Sequence, residues 1–449
     1  MNQKERVVII GGGFGGLYAA KRLKHAPVEV TLIDRRNHHL FQPLLYQVAT
    51  GELSPADIAS PLRRLLKTQR NARVLLAEVT GFDVANQQVI LRNGTVPYDT
   101  LIVAAGAGNH YFGNDHWQQW APSLKTVEDA TEIRRRIIAA FEAAEVASDP
   151  DTIRSWLTFV IVGGGPTGVE IAGSLAEIAR ETLKNEFRSI NPSDARILLV
   201  QSRDRILPTY PPGLSEKAAQ TLAKRGVEIV TGTRVSEVGP QDVTLSYGDE
   251  VEMVPARTVL WTAGVKASPL GQALADATGV SLDRGGRVEI EPDLTVSGHP
   301  EIFVIGDLAS FAHQDGKPLP GVAQVAIQQG QHVAESIKTR ERGHRLPDFR
   351  YRDKGNIAVI GRGAAVAEVG RFRFAGWLAW QLWAYIHLTY QLEIENRLLV
   401  LVQWLWNFIT RSRSALLITD RQETGFTTPE IGDQRRRWIY DTGLWPRVE

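Results

Sequence analysis

Two glycine-rich turns, each between an apolar run and a helix-compatible stretch, constrain this 449-residue chain more than any other feature. The first is Val7-Val8-Ile9-Ile10-Gly11-Gly12-Gly13-Phe14-Gly15-Gly16, and the second is Phe159-Val160-Ile161-Val162-Gly163-Gly164-Gly165-Pro166-Thr167-Gly168. In such a turn the first glycine permits the bend, the second lets a pyrophosphate approach the backbone, and the third lets helix pack on strand. The helix N-terminus then presents unpaired N–H groups and the positive end of its dipole to the anion. One such motif alone is weak evidence. Two in strand-to-helix context predict two bound dinucleotides, and two dinucleotides imply electron transfer between them.

The likeness between the copies runs beyond the glycines. Val30-Thr31-Leu32-Ile33-Asp34 and Leu101-Ile102-Val103-Ala104-Ala105-Gly106 follow the first turn. Ile197-Leu198-Leu199-Val200-Gln201 and Val259-Leu260-Trp261-Thr262-Ala263-Gly264 follow the second. Turn signals at Arg92-Asn93-Gly94-Thr95 and Ser246-Tyr247-Gly248-Asp249 predict a small antiparallel meander in each copy. The expected fold is α/β, with two Rossmann-like dinucleotide-binding domains, the second inserted in the first, and a C-terminal helical membrane-anchoring region. The expected boundaries are 1–120 and 285–370 for the first domain, 121–284 for the second, and 371–449 for the C-terminal region.

A chain of this length exceeds one hydrophobic core. Its 51 basic and 50 acidic residues leave a net charge of +1, so no global field favours nucleic acid. It has no cysteine, which excludes a redox disulfide, thiolate metal sites and iron–sulfur clusters, and leaves bound organic cofactors as the electron carriers. No apolar run precedes the first strand, so secretion is not expected. Five of the 11 tryptophans, Trp377, Trp380, Trp383, Trp404 and Trp406, cluster near the C-terminus. There the uncharged runs Phe374 to Leu392 and Leu398 to Thr410 are bracketed by Arg371, Arg373, Arg397, Arg411 and Arg413. Gln381, His387, Thr389 and Gln391 interrupt the first run, and the second is too short to span a bilayer. This pattern favours helices lying in the membrane interface. An oligomer interface or buried core, and a spanning pair, are the alternatives.

Asp34, at a strand end, suits the free ribose hydroxyls of FAD and would repel a 2′-phosphate. FAD is expected to be non-covalent. Gly306-Asp307, after the apolar Glu301-Ile302-Phe303-Val304-Ile305, offers a second anchor for its ribityl chain. The FAD site then takes Gly11, Gly13, Phe14, Gly15, Gly16, Asp34, Arg35, Val79, Ala105, Gly106, Gly306 and Asp307. The second site takes Gly163, Gly165, Gly168, Glu170, Gln201, Ser202, Arg203 and Gly264. Gln201 replaces the acid expected at the second strand end, followed by Ser202 and Arg203. Either a 2′-phosphate is tolerated there, so that NADPH serves as well as NADH, or the amide binds the free ribose and Arg203 is solvated. Glu170 is expected in the first turn of the second helix, at the nicotinamide or as helix-end stabilisation. Gln324 and Gln328 are four apart, hence on one helix face, where their amides could meet a carbonyl substrate.

Taken together, these residues resemble the type II NADH:quinone oxidoreductase family, over most of the chain. The resemblance rests on Asn37-His38-His39-Leu40-Phe41-Gln42-Pro43-Leu44-Leu45-Tyr46-Gln47-Val48-Ala49-Thr50-Gly51, on Gly163 to Glu170, and on Thr262-Ala263-Gly264. Ile305-Gly306-Asp307, the AQxAxQ run Ala323 to Gln328, and the Trp-rich C-terminus complete it. It implies that Ala323 and Gln324 contact the flavin, that Gln328 helps form a quinone site and that Glu170 borders the nicotinamide. The implied activity is hydride transfer from NAD(P)H to FAD and two-electron reduction of a membrane quinone without proton pumping. The implied catalytic residues are Glu170, Gln324 and Gln328. The expected location is peripheral, on the cytoplasmic face of the cell membrane, with a homodimer through the C-terminal region left open. Two departures are Gln201, where NADH-specific members carry Glu, and Ala104-Ala105-Gly106, where Ala-Thr-Gly is usual. A soluble reductase of a protein carrier and a slow redox sensor are the rival readings.

Overall fold

The computed structural model describes residues 4–340, 342–344 and 346–418; the end of the expected C-terminal region, 419–449, lies outside the described residues. Strand β1 (Glu5–Ile10) passes through the first glycine turn into helix α1 (Phe14–Arg22) and returns as β2 (Val28–Asp34). A short helix α2 (Leu45–Ala49) follows, then β3 (Ala72–Leu76) and the antiparallel meander β4 (Val79–Asp83), β5 (Gln88–Leu91) and β6 (Gly94–Pro97). Strand β7 (Thr100–Val103) closes the first copy. Leu91 pairs with Gly94, so Arg92-Asn93 form the hairpin turn.

The second copy repeats the order. Strand β8 (Thr158–Val162) leads through the second glycine turn into α3 (Pro166–Glu177) and then β9 (Arg196–Val200), β10 (Val227–Val230), the meander β11 (Arg234–Val238), β12 (Asp242–Tyr247) and β13 (Glu250–Pro255), and β14 (Thr258–Trp261). Later come β15 (Thr295–Val296), β16 (His299–Val304), helix α4 (Ala323–Arg340), the antiparallel sheet β17 (Asn356–Gly361), β18 (Ala364–Val369) and β19 (Phe372–Gly376), and helices α5 (Trp377–Tyr390) and α6 (Ile394–Thr410).

One six-stranded sheet has the order β15-β16-β7-β1-β2-β3, with all pairs parallel except β15 on β16. Val7, Ile9, Leu32, Ile33, Leu101 and Ile102 are fully buried. Such β-branched and leucine runs are what a parallel sheet covered on both faces requires. A four-stranded parallel sheet has the order β10-β9-β8-β14. The described residues of 1–40, 59–109 and 265–354 form one compact unit, and those of 41–58, 110–264 and 355–449 form a second.

The uncharged run Phe374 to Leu392 is not one helix. Its first residues complete β19, where Phe374 pairs with Ala367, and α5 starts only after Gly376, whose φ of 87° favours glycine. Among the described residues no helix is long and apolar enough to cross a membrane.

Candidate functional site

The first cradle is built by close backbone packing. Gly11, at φ 99°, donates its N–H to the Ile33 carbonyl at 2.8 Å. A Cβ on Gly11 would collide with the Ala104 carbonyl oxygen, and one on Gly16 with the Gly11 carbonyl oxygen. Gly13 differs, because a Cβ there would meet nothing within 4 Å. It is the N-cap of α1 and supplies no side-chain cap, so the first N–H groups of that helix are left for an outside acceptor. Asp34 Oδ2 accepts from the Gly12 N–H at 2.6 Å and Oδ1 from Arg36 N–H at 2.7 Å, which fixes the carboxylate at the lip of the turn.

Other expected residues of this unit are distributed around the same sheet end. Gly106, at φ 66°, has open space at its Cβ, as Gly13 does. The Gly306 N–H donates to Gln329 Oε1 at 2.7 Å, and Asp307 Oδ1 lies 3.2 Å from where a Cβ on Gly321 would stand. Gln324 Oε1 is buried without a hydrogen-bond partner, an acceptor that an extended cofactor with ring N–H groups would satisfy. Open space at Gly13 and Gly106, an uncapped helix start, a fixed carboxylate and this orphan acceptor together fit FAD. Arg35 is exposed, and Val79 is half-buried in the meander. Gln328 is not free: its amide donates to the Arg352 carbonyl and accepts from the Arg352 N–H, both at 3.0 Å.

Two residues of this unit escaped the sequence reading. Gln329, adjacent to Gln328, holds the Gly306 turn. His39 is 2% exposed and stands edge-on to Phe14. Its Nδ1 is 2.9 Å from the Gly12 carbonyl, which can only accept, so Nδ1 carries the proton and Nε2 remains an unpaired acceptor. Burial lowers the pKa of His39 to about 4, keeping the ring neutral.

The second cradle repeats the backbone bond and the close glycine contact of the first. Gly163, at φ 111°, donates to the Val200 carbonyl at 2.8 Å, and a Cβ on Gly168 would collide with the Gly163 carbonyl oxygen. Thr262 Oγ1 packs beneath, 2.9 Å from the carbonyls of Val162 and Gly163. Gly165, the N-cap of α3, again has empty space at its Cβ, and Pro166 opens the helix where a missing N–H costs nothing. Gln201 is buried, while Ser202 and Arg203 are exposed. Gly264, at φ 77°, has the His110 carbonyl 2.7 Å from where a Cβ would stand. Glu170 lies on the second turn of α3, because the helix starts at Pro166 and has no acid in its first turn. Helix-end stabilisation therefore does not explain it. Burial pushes its carboxyl well above the usual range, and the Val359 backbone draws it only partly back.

Near Glu170, in the same unit, a cleft is lined by Tyr46, Gln47, Glu52, Glu177, Trp380, Trp383, Trp404, Asn407 and Arg413, among others. Burial raises the Tyr46 hydroxyl well above its ordinary pKa, and Glu170, Glu52 and Glu177 push in the same direction. Arg413 is one of the arginines that bracket the aromatic runs, where an interfacial helix would turn it to the lipid headgroups. Its side chain is instead 5% exposed and paired with Glu177 at 2.9 Å. Arg397 likewise serves the fold, donating to the Gln391 carbonyl at 2.8 Å and the Thr389 carbonyl at 3.0 Å, at the C-terminal end of α5. No sequence signal separated these arginines from Arg371 and Arg373, which are exposed.

Paired cradles of this geometry define a flavin- and pyridine-nucleotide-binding oxidoreductase, and the pyridine nucleotide-disulphide oxidoreductase pattern matches residues 5–330. The chain is 47% identical to the type II NADH:quinone oxidoreductase Ndh of Mycobacterium tuberculosis, over 94% of this chain and 91% of that one. It is 30% identical to the type II NADH:quinone oxidoreductase of Staphylococcus haemolyticus, over 80% of this chain and 88% of that one. The chain therefore belongs to the type II NADH:quinone oxidoreductase family. The fold is also that of the NDH2 structure from Plasmodium falciparum in complex with NADH, with a TM-score of 0.83 at 20% identity, covering 92% of this chain and all of that one.

Proposed function

We propose that this protein oxidises NADH, and NADPH to a measurable extent, and passes two electrons through non-covalent FAD to a membrane quinone. The observation that carries this reading is the repeated cradle: the same backbone bond, the same close glycine contact and an open N-cap glycine at a helix start in each copy. When bound, FAD supplies the chemistry of accepting a hydride and returning two electrons. Gly11 to Gly16, Asp34 and the Gly306-Asp307 turn hold it, with Ala323 and Gln324 toward its ring. Gly163 to Gly168 hold the pyridine nucleotide, and Glu170 borders its nicotinamide.

Burial favours the neutral, protonated form of Glu170, which suits it to carry a proton for quinol formation. Gln328, tied to Arg352, acts by shaping the quinone site rather than by offering a free amide. The proposed boundaries at 120 and 284 enclose the second copy, whereas the one at 370 falls between the paired strands β18 and β19.

The membrane is engaged through α5 and α6. Trp377, Leu378, Tyr385, Leu398, Val402, Leu405, Trp406 and Ile409 are exposed on them, an apolar surface of the kind that marks an interaction site. Exposed Arg371 and Arg373 beside exposed Phe372 favour an anionic lipid surface, as on the cytoplasmic leaflet, over a second copy of the chain. The deciding experiment is steady-state oxidation of NADH and NADPH by flavin-replete protein with several quinones. Absence of flavin after FAD addition, or turnover with protein carriers but no quinone, overturns the reading.

A further inference from the structure

Helix α6 has two opposed roles. Its outward face is apolar and exposed, while its inner face grips the segment that runs from α2 to Ala56. Asn396 Nδ2 donates to the Ala56 carbonyl at 3.3 Å, Trp404 Nε1 to Gln47 Oε1 at 2.9 Å, and Asn407 Nδ2 to the Glu52 carbonyl at 3.2 Å. Just beyond the helix, the Ala415 N–H donates to the Gly51 carbonyl at 3.2 Å. Gly51, at φ 69°, has no room for a Cβ, which would stand 2.6 Å from Leu416 Cδ2.

Arg413 is the centre of this clasp. Its Nη1 donates to the Thr50 carbonyl at 3.0 Å and lies 3.8 Å from Glu52 Oε2, while Nη2 donates to Glu177 Oε2 at 2.9 Å. Glu177 Oε1 in turn accepts from Arg225 Nη1 and from the Arg362 N–H, each at 2.6 Å. Glu177 closes α3, the helix that starts at the nucleotide cradle, and a 12-residue helix sets about 18 Å between the two ends. Glu170 and Glu177 are seven apart and so share one face. The clasp therefore holds Tyr46 and Gln47, which line the aromatic cleft, without touching the cradle itself.

We propose that Arg413 is a positioning residue for the quinone-reducing half of the reaction, fixing the Tyr46-to-Glu52 segment between α6 and the far end of α3. This rests on the quinone reading above, in which the acceptor arrives from the lipid-facing side of α5 and α6. Trp383 and Trp404, packed on each other at 5.0 Å, and Gln47 line the cleft, and aromatic faces and amides are the groups that recognise a flat ring bearing carbonyls. Losing the cation would take from Glu52 its ion-pair partner at 3.8 Å and from Glu177 one of two, Arg225 remaining, and would loosen the segment. Nucleotide binding would be spared.

The test separates the half-reactions in Arg413→Gln, Arg413→Lys and Trp404→Phe, the last removing the bond to Gln47 and part of the ring packed on Trp383. Flavin content, anaerobic flavin reduction by NADH, and KM for a soluble quinone are measured in each. Arg413→Gln is expected to keep flavin and to be reduced by NADH within about twofold of wild type, with the quinone KM raised about tenfold. Arg413→Lys should recover part of that loss, and Trp404→Phe should move quinone KM alone in the same direction. If Arg413→Gln does not fold, Trp404→Phe and Arg413→Lys carry the decision. Equal loss in both half-reactions, or an unchanged quinone KM, overturns the proposal. A wild-type chain that is reduced by NADH but never reoxidised by quinone overturns the function as well, and that measurement involves no variant.

Discussion

Gln201 packs over Gly164, its Nε2 3.2 Å from where a Cβ on that glycine would stand, and Asp34 Oδ2 lies 3.3 Å from the corresponding point on Gly12. The amide thus occupies, in the second cradle, the place that a carboxylate occupies in the first. A carboxylate there repels the charge of a 2′-phosphate, which is about −1.5 to −2 at pH 7. Gln201→Glu should depress NADPH turnover at least about tenfold more than NADH turnover, most clearly above pH ~6, where the phosphate takes up its second charge. Wild-type protein that rejects NADPH while using NADH well would show that Gln201 does not read the 2′ position.

The two cradles can be broken one at a time. In Gly16→Ala the new Cβ meets the Gly11 carbonyl, and in Gly168→Ala it meets that of Gly163. Backbone cannot yield as a side chain can, so each change distorts its own turn. Gly16→Ala should lose bound flavin, whereas Gly168→Ala should keep a full flavin spectrum yet be reduced by NADH at least about a hundredfold more slowly. Flavin loss from Gly168→Ala would contradict the assignment of the second cradle.

Asp34→Ala removes the acceptor for the Gly12 and Arg36 N–H groups as well as for a ribose. Leaving such donors unsatisfied costs about 1–3 kcal/mol, so FAD should dissociate at least about tenfold more readily. Asp34→Asn, which keeps one acceptor, should fall between. Fluorescence of released flavin after dilution measures both.

Truncation before Arg371 is a poor test of membrane binding, because it removes a strand of the β17–β19 sheet along with buried Trp383, Val400 and Trp404. Leu398, Val402 and Trp406 are four apart on the exposed face of α6 and each is about 60% exposed. Leu398→Asp with Val402→Asp should lower binding to anionic vesicles more than about tenfold, while turnover with a water-soluble quinone persists. Undiminished vesicle binding removes the lipid assignment.

His39 gives stability a pH dependence. Unfolded, it takes a proton near pH 6.5, whereas folded it does so only near 4. Between these values the unfolded chain holds the extra proton, so stability falls as pH falls, by up to about 1.4 kcal/mol per pH unit for this group. His39→Gln should flatten the change in the urea midpoint between pH 6.5 and 5. An identical slope in the variant would refute the burial argument.

The sequence alone determined both cradles, because glycines at carbonyl contacts and β-branched runs on doubly covered strands are local requirements that leave a readable pattern. It determined Asp34 and Gln201 as counterparts for the same reason, since strand end and turn are fixed by register. Only the tertiary structure decided that the run from Phe374 begins as a strand, that Glu170 lies past the first helical turn, and that Gln328 is spent on Arg352. It alone distinguished Arg413, buried between Thr50 and Glu177, from Arg371 and Arg373 in solvent. An arginine carries the same charge and propensity in either place. Which one is desolvated depends on contacts hundreds of residues distant in sequence, and no local pattern records them.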